Sequence, residues 1–175
     1  MRKLVESTFV TLDGVVGSPE TWGAPYWDEE HAKYTNELFY AADSLLLGRA
    51  TYDVFAEFWP KLDDPYSERI NALPKHVASN TLTEATWNAS VISGDVASAV
   101  ADVKAQPGGN ILKYGTGEFD RTLIEHQLID EFHFWVHPVA VGAGVRLLDG
   151  ITTSLELVNT TRFASGVVVL TYTPK

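Results

Sequence analysis

Apolar and polar positions along this chain fall into short blocks of two alternating periods. Residues 4–12 (LVESTFVTL) end at the turn pair Asp13-Gly14 and predict a strand. Residues 13–26 hold three Gly and two Pro and predict a loop. In residues 27–41, Trp27, His31, Tyr34, Leu38 and Ala41 recur at helical spacing, with Asp28, Glu29 and Glu30 in the first turn, where the helix dipole favours acids. Residues 43–47 (DSLLL) form a buried strand that stops at Gly48, and 49–58 (RATYDVFAEF) continue as a helix. Further on, the pattern predicts a short helix at 65–73, strands at 75–79 and 86–92, a helix at 95–105, a strand at 110–114 and a helix at 118–127. Residues 130–141 (DEFHFWVHPVAV) predict a long strand, with Phe132, Phe134 and Val136 on one side and His133, Trp135 and His137 on the other. Two strands, 154–162 and 166–173, close the chain around a turn at Ser165-Gly166. The order predicts an α/β fold: a mixed, mostly parallel sheet with helices on its faces and an antiparallel hairpin at the end.

Length and composition narrow this reading. A chain of 175 residues suits one domain spanning residues 1–175 and buries roughly 70% of its unfolded surface. The formal net charge of -10 argues against nucleic acid and anionic membranes as partners. Without cysteine there are no disulfides, no thiol catalysis and no thiolate metal sites. Glu6 interrupts the N-terminus before any long apolar run, and no stretch approaches the ~18 apolar residues of a membrane span. A cytoplasmic protein is expected.

Three strand ends carry candidate chemistry. At Gly48-Arg49 a buried strand passes straight into a helix. Its first N–H groups lack partners within the helix, so they and Arg49 suit an anion; an ordinary connection with a solvated Arg is the competing reading. Gly115-Thr116-Gly117 repeats the strand–glycine–helix order without the full GxGxxG pattern, since position 120 is Asp. Ser79-Asn80-Thr81 offers hydroxyl and amide donors, or simply a polar turn. Gly142-Ala143-Gly144 has no helix after it and reads as a bend. His133 and His137 lie about 13 Å apart on an extended strand, too far to share an ion, so no metal site is expected. For acid–base work the candidates are Asp13, Asp28, Glu29 and Glu30, with helix capping the simpler role for the last three. The His133-Trp135-His137 face has an interface-like composition and points to a partner.

With these loops placed, the chain resembles the dihydrofolate-reductase-like family, and most of all the reductase domain of the bacterial riboflavin-biosynthesis deaminase-reductase and its stand-alone relatives. The resemblance rests on TLDG at 11–14, DSLLLGRATYDVF at 43–55, NALPKHVASNTL at 71–82, YGTGEF at 114–119 and LIDEFHFWVHPVAVGAGVRLL at 128–148. It implies a three-layer αβα domain, NADPH as hydride donor and, since such relatives commonly pair, a homodimer through the His133-Trp135-His137 face. Gly48, Arg49, Ala50 and Thr51 would hold the pyrophosphate or 2'-phosphate. Ser79, Asn80 and Thr81 would lie by the adenosine phosphate. Tyr114, Gly115, Thr116, Gly117 and Glu118 would cover the pyrophosphate from the other side. Val10, Thr11 and the loop from Asp13 to Gly17 would border the nicotinamide. The substrate would lie between that loop and the helix beginning at Trp27, with Asp28 matching the family's early-helix carboxylate as the catalytic candidate. The resemblance implies reduction of a small heterocycle, as in 5-amino-6-(5-phosphoribosylamino)uracil reductase; dihydrofolate reductase and a non-catalytic nucleotide-binding protein are the alternatives. Tyr114-Gly115-Thr116 stands where the riboflavin reductases usually carry Glu-Gly-Gly, and no HxE or Cys is present to support deamination.

Overall fold

The computed structural model describes all 175 residues. Eight strands form one sheet: β1 (Leu4–Thr11), β2 (Ala42–Gly48), β3 (Lys75–Ala78), β4 (Ala89–Ile92), β5 (Asn110–Tyr114), β6 (Glu131–His137), β7 (Leu155–Arg162) and β8 (Val168–Pro174). Six helices accompany them: α1 (Pro19–Trp22), α2 (Glu29–Tyr40), α3 (Arg49–Phe58), α4 (Pro65–Ala72), α5 (Val96–Ala105) and α6 (Glu118–Glu125).

The strand order is β4-β3-β2-β5-β1-β6-β8-β7. The first six in that order run parallel, and β8 and β7 are antiparallel to their neighbours. Central parallel strands are covered on both faces and so read as nearly continuous apolar runs. In β2, Leu45 and Leu47 enter the core under α2, α3 and α4, whereas Leu46 enters the opposite core under α5 and α6. The result is the expected three-layer αβα arrangement. Because the six strands are parallel, their carboxyl ends share one edge: Thr11 lies beside His137, and Gly48 beside Ala78.

Several boundaries depart from the pattern-based reading for local reasons. The strand expected at 86–92 begins only at Ala89, because Trp87 and Asn88 have φ of 58° and 50°, left-handed values that no strand accommodates. The strand expected at 130–141 stops at His137, where Pro138 removes the next ladder donor. Segment 13–26 is not all loop: Pro19 and Pro25 open α1 and a 3-10 turn, Ala24–Tyr26. The helix expected at 27–41 starts at Glu29, with Asp28 as its cap.

The His133-Trp135-His137 face is covered by the chain itself. Trp135 and His137 are fully buried and His133 nearly so. Tyr34 of α2 packs edge-on against Trp135 at 5.1 Å between ring centroids, and its hydroxyl meets His133 Nδ1 at 2.9 Å. That face is therefore not the surface for a second copy. Its mixed polarity reflects hydrogen bonds inside the molecule.

Candidate functional site

Helix starts are of two kinds among the five helices of eight residues or more. α2, α4 and α5 begin on Asp28, Asp64 and Asp95, whose carboxylates accept first-turn N–H groups. α3 and α6 begin on Gly48 and Gly117, which have no side chain to do this. The first-turn N–H groups of α3 have no capping side chain, whereas in α6 Asp120 donates its N–H to the Gly117 carbonyl at 3.0 Å and accepts the Gly117 N–H at 2.6 Å; the positive end of each helix dipole faces outward. A Cβ at Gly48 or Gly117 would meet nothing within 4 Å, so open space lies over both.

The expected phosphate loops converge. A Cβ at Gly115 would stand 3.4 Å from Thr51 Oγ1, which places the α6 loop against the first turn of α3. Arg49 Nη1 donates to Thr81 Oγ1 at 3.4 Å and joins the third loop. Ser79 Oγ accepts the N–H groups of Thr81 and Leu82 at 3.2 and 3.0 Å and shapes that turn; Asn80 Oδ1 accepts from Gly94. Arg49 also pairs with Asp53, one turn on, through Nε at 2.8 Å; both side chains are about half exposed, so this pair is worth little. Thr116 Oγ1 is buried with no hydrogen-bond partner. An unpartnered buried hydroxyl costs roughly 1–3 kcal/mol, and a ligand oxygen would relieve it.

Other expected residues are engaged elsewhere. Tyr114 turns its ring into the core against Phe55, and its hydroxyl lies 3.2 Å from that of Tyr66; only its backbone belongs to the loop. The Val10 side chain lies in the core under α5 and α6. Thr11 Oγ1 donates to Asp13 Oδ1 at 2.6 Å and accepts the Val15 N–H at 2.9 Å. Asp13 also accepts from the N–H groups of Gly142 at 2.7 Å and Val141 at 3.3 Å. These bonds, the Thr11 hydroxyl first, hold the Asp13 carboxyl down at about 2. Asp13 braces two loops and is not free to grip a substrate. Gly142-Ala143-Gly144 is the bend that this bracing needs, and Gly17 packs against Val145.

Asp28 caps α2, accepting the His31 N–H at 2.8 Å. That bond holds its carboxyl below the usual range, so Asp28 is poorly suited to donate a proton. Trp27 stacks over His31 at 4.5 Å and is half exposed. His31 is fully buried between Trp27 and Trp135, neither ring nitrogen is hydrogen-bonded, and burial, reinforced by His137, pushes it down to about 4. His137 Nδ1 sits 2.8 Å from the Trp135 carbonyl, and its rim is closed by Phe9, Trp22 and Tyr26. Two rings of segment 13–26, Trp22 and Tyr26, thus pack edge-on against His137 at 5.2 and 5.7 Å between ring centroids.

Sequence reading missed a second feature, a buried charged cluster under the α6 loop. Lys113 Nζ lies 2.7 Å from Asp120 Oδ1 and 3.5 Å from Glu6 Oε2, and all three side chains are buried. Burial pushes the Glu6 carboxyl well up, with Lys113 opposing. Burial also weighs against the Lys113 charge, but the two carboxyls beside it hold it above its usual value. Polar residues at 6 and 113 carry no local sign of pairing; only the adjacency of β1 and β5 brings them together. No three His, Asp or Glu side chains converge as a metal ion requires.

Comparison with known proteins agrees with this geometry. The RibD C-terminal domain family matches residues 2–169. The uncharacterized protein YyaP of Bacillus subtilis (strain 168) is 30% identical, over 98% of this chain and 94% of its own. Among solved structures, a putative riboflavin biosynthesis protein from Shewanella sp. PV-4 superposes with a TM-score of 0.78 at 23% identity, covering 99% of each chain. Dihydrofolate reductase from Enterococcus faecalis, complexed with NADP(H) and RAB-propyl, superposes at 0.66 with 16% identity, covering 99% of this chain and 96% of that one. Sequence and architecture together place the chain in the RibD C-terminal domain family, with a dihydrofolate-reductase-like αβα fold.

Proposed function

We propose that this protein is an NADPH-dependent reductase of a small, flat heterocycle. The observation that carries the reading is the convergence of two glycine-started helices, α3 and α6, with the Ser79–Thr81 turn at one edge of the parallel sheet. Anionic ligands of α/β sheets bind at such carboxyl edges. The residues fit the cofactor: Gly48 and Gly117 leave room for close backbone approach, and Thr116 Oγ1 needs a partner. The family and the NADP(H) complex of the similarly folded Enterococcus reductase support the choice.

In this reading, backbone N–H groups at Arg49, Ala50 and Thr51 and the loop from Tyr114 to Glu118 hold the pyrophosphate. Arg49, with Ser79, Asn80 and Thr81, holds the 2'-phosphate end. NADPH supplies the hydride. The chain's own work is to orient the two rings and exclude water. Asp28, kept ionised, accepts an N–H from the substrate or orders a water; it does not supply the proton.

A second reading, nucleotide binding without turnover, is favoured by one observation. Asp13 and Asp28, the carboxyls nearest the expected substrate, are both held low, and neither is poised as an acid. Steady NADPH oxidation with a pterin, a flavin precursor or a quinone decides for the reductase. No oxidation with any of them, despite saturable binding, decides for the second reading. Arg49→Ala is expected to weaken NADPH binding about tenfold, the scale of one charge-assisted contact, and to leave NADH binding nearly unchanged. Equal losses for both ligands would remove Arg49 from the 2'-phosphate.

A further inference from the structure

Three buried ionisable side chains lie directly beneath the expected pyrophosphate loop and take no part in the mechanism above. Lys113 Nζ donates to the Gly115 carbonyl, at the start of the loop. Asp120 Oδ2 accepts the Gly117 N–H at 2.6 Å, at its end. The ion pair between Lys113 and Asp120, 2.7 Å long, links these two holds. The Gly115 N–H goes to the Ser7 carbonyl at 3.2 Å. Both glycines flanking Thr116 are thereby fixed from below, and the Thr116 hydroxyl is left unpartnered.

We propose that Lys113 and Asp120 are positioning residues that hold Gly115-Thr116-Gly117 in the shape that receives the cofactor's pyrophosphate. This rests on the NADPH reading above and adds a determinant of its affinity. Gly115 has a φ of 73°, a conformation that a free loop would leave readily, so an anchor on each side has a physical purpose. Preorganised donors bind more tightly because the ordering cost is met before the ligand arrives.

Glu6 is the third member. One lysine facing two carboxyls balances only one of them, and a second uncompensated buried charge is strongly disfavoured. Burial pushes the Glu6 carboxyl well up, Lys113 opposing and the neighbouring Asp120 adding to the rise, and Thr8 Oγ1 donates to its Oε1 at 3.3 Å. Removal of the Asp120 carboxylate leaves Glu6 as the carboxyl beside Lys113, 3.5 Å from its Nζ. Lys113 then keeps a partner, but the Gly117 N–H loses its acceptor.

The test compares wild type with Asp120→Ala by titration with NADPH and, separately, with dihydronicotinamide riboside, which has no phosphate. The variant is expected to lose about tenfold in NADPH affinity, the worth of a charge-assisted hydrogen bond. Its affinity for dihydronicotinamide riboside should stay within about twofold, which is within ordinary mutational scatter. A parallel loss for both ligands would mean general destabilisation and would overturn the positioning role. Unchanged NADPH affinity in the variant, with normal binding by wild type, would overturn it too and leave the NADPH reading standing. Failure of wild type itself to bind NADPH would overturn that reading, and this inference with it. If Asp120→Ala does not fold, Asp120→Asn serves under the same criteria, because its amide oxygen is a weaker acceptor for the Gly117 N–H.

Discussion

At the scale of single residues, the imidazole of His31 is the most exacting group in the molecule. It is sealed between two indoles without a hydrogen bond, which penalises its charged form. The sign of its effect follows from the shift. The folded value, about 4, lies below the unfolded value near 6.5. Its contribution is complete above pH ~6.5 and is lost as the pH falls through the window toward about 4. His137, His133 and His76 are also lowered and act with the same sign. Urea unfolding from neutral to mildly acidic pH should show stability falling across that window, by on the order of 3 kcal/mol for His31 alone. His31→Phe keeps a flat ring and removes the titration, so its profile should be flatter. Parallel profiles for wild type and variant would show that His31 is not the group responsible.

At the scale of elements, what the sequence made legible was whatever is local. The β2–α3 unit is an example: three leucines, a glycine and a helix with no competing cap sit within residues 45–58, and in the structure the helix keeps both expected ends while the strand runs one residue further at each end. The loops at 79–81 and 115–117 were readable for the same reason. What escaped was non-local. Trp135 looked like an exposed aromatic because nothing near it in sequence reveals that α2 covers it. Asp13 looked available because its three donors include two from residues 141 and 142. Lys113 drew no notice in the sequence because its partners lie on β1 and α6. Gly48 tests the element-level claim directly. Its backbone is extended, with φ −73°, and its Cβ position is open, so Gly48→Asp introduces no clash and supplies α3 with the cap it lacks. Thermal unfolding should show stability unchanged or raised by a few tenths of a kcal/mol. A marked fall in Tm would mean that Gly48 serves the fold and not a ligand.

At the scale of the whole molecule, the chain carries a net charge of -10 yet is proposed to bind a multiply charged anion. The sheet topology reconciles the two. It gathers the glycine starts of α3 and α6 and Arg49 at one edge, while N-cap aspartates serve the helices α2, α4 and α5. No helix is long and apolar enough to cross a membrane. Family membership and the shared fold make a reductase the natural reading, and the geometry of the strand ends is the ground for proposing the cofactor at that edge. Calorimetric titration of NADPH into wild type and Gly48→Asp, side by side, tests this most directly. Wild type should give a saturable isotherm in the micromolar-to-millimolar range usual for such ligands. The variant, folded but with a carboxylate where the phosphates belong, should give none. Absence of binding by wild type, or equal binding by both proteins, would contradict the assignment of the Gly48 turn as the phosphate cradle.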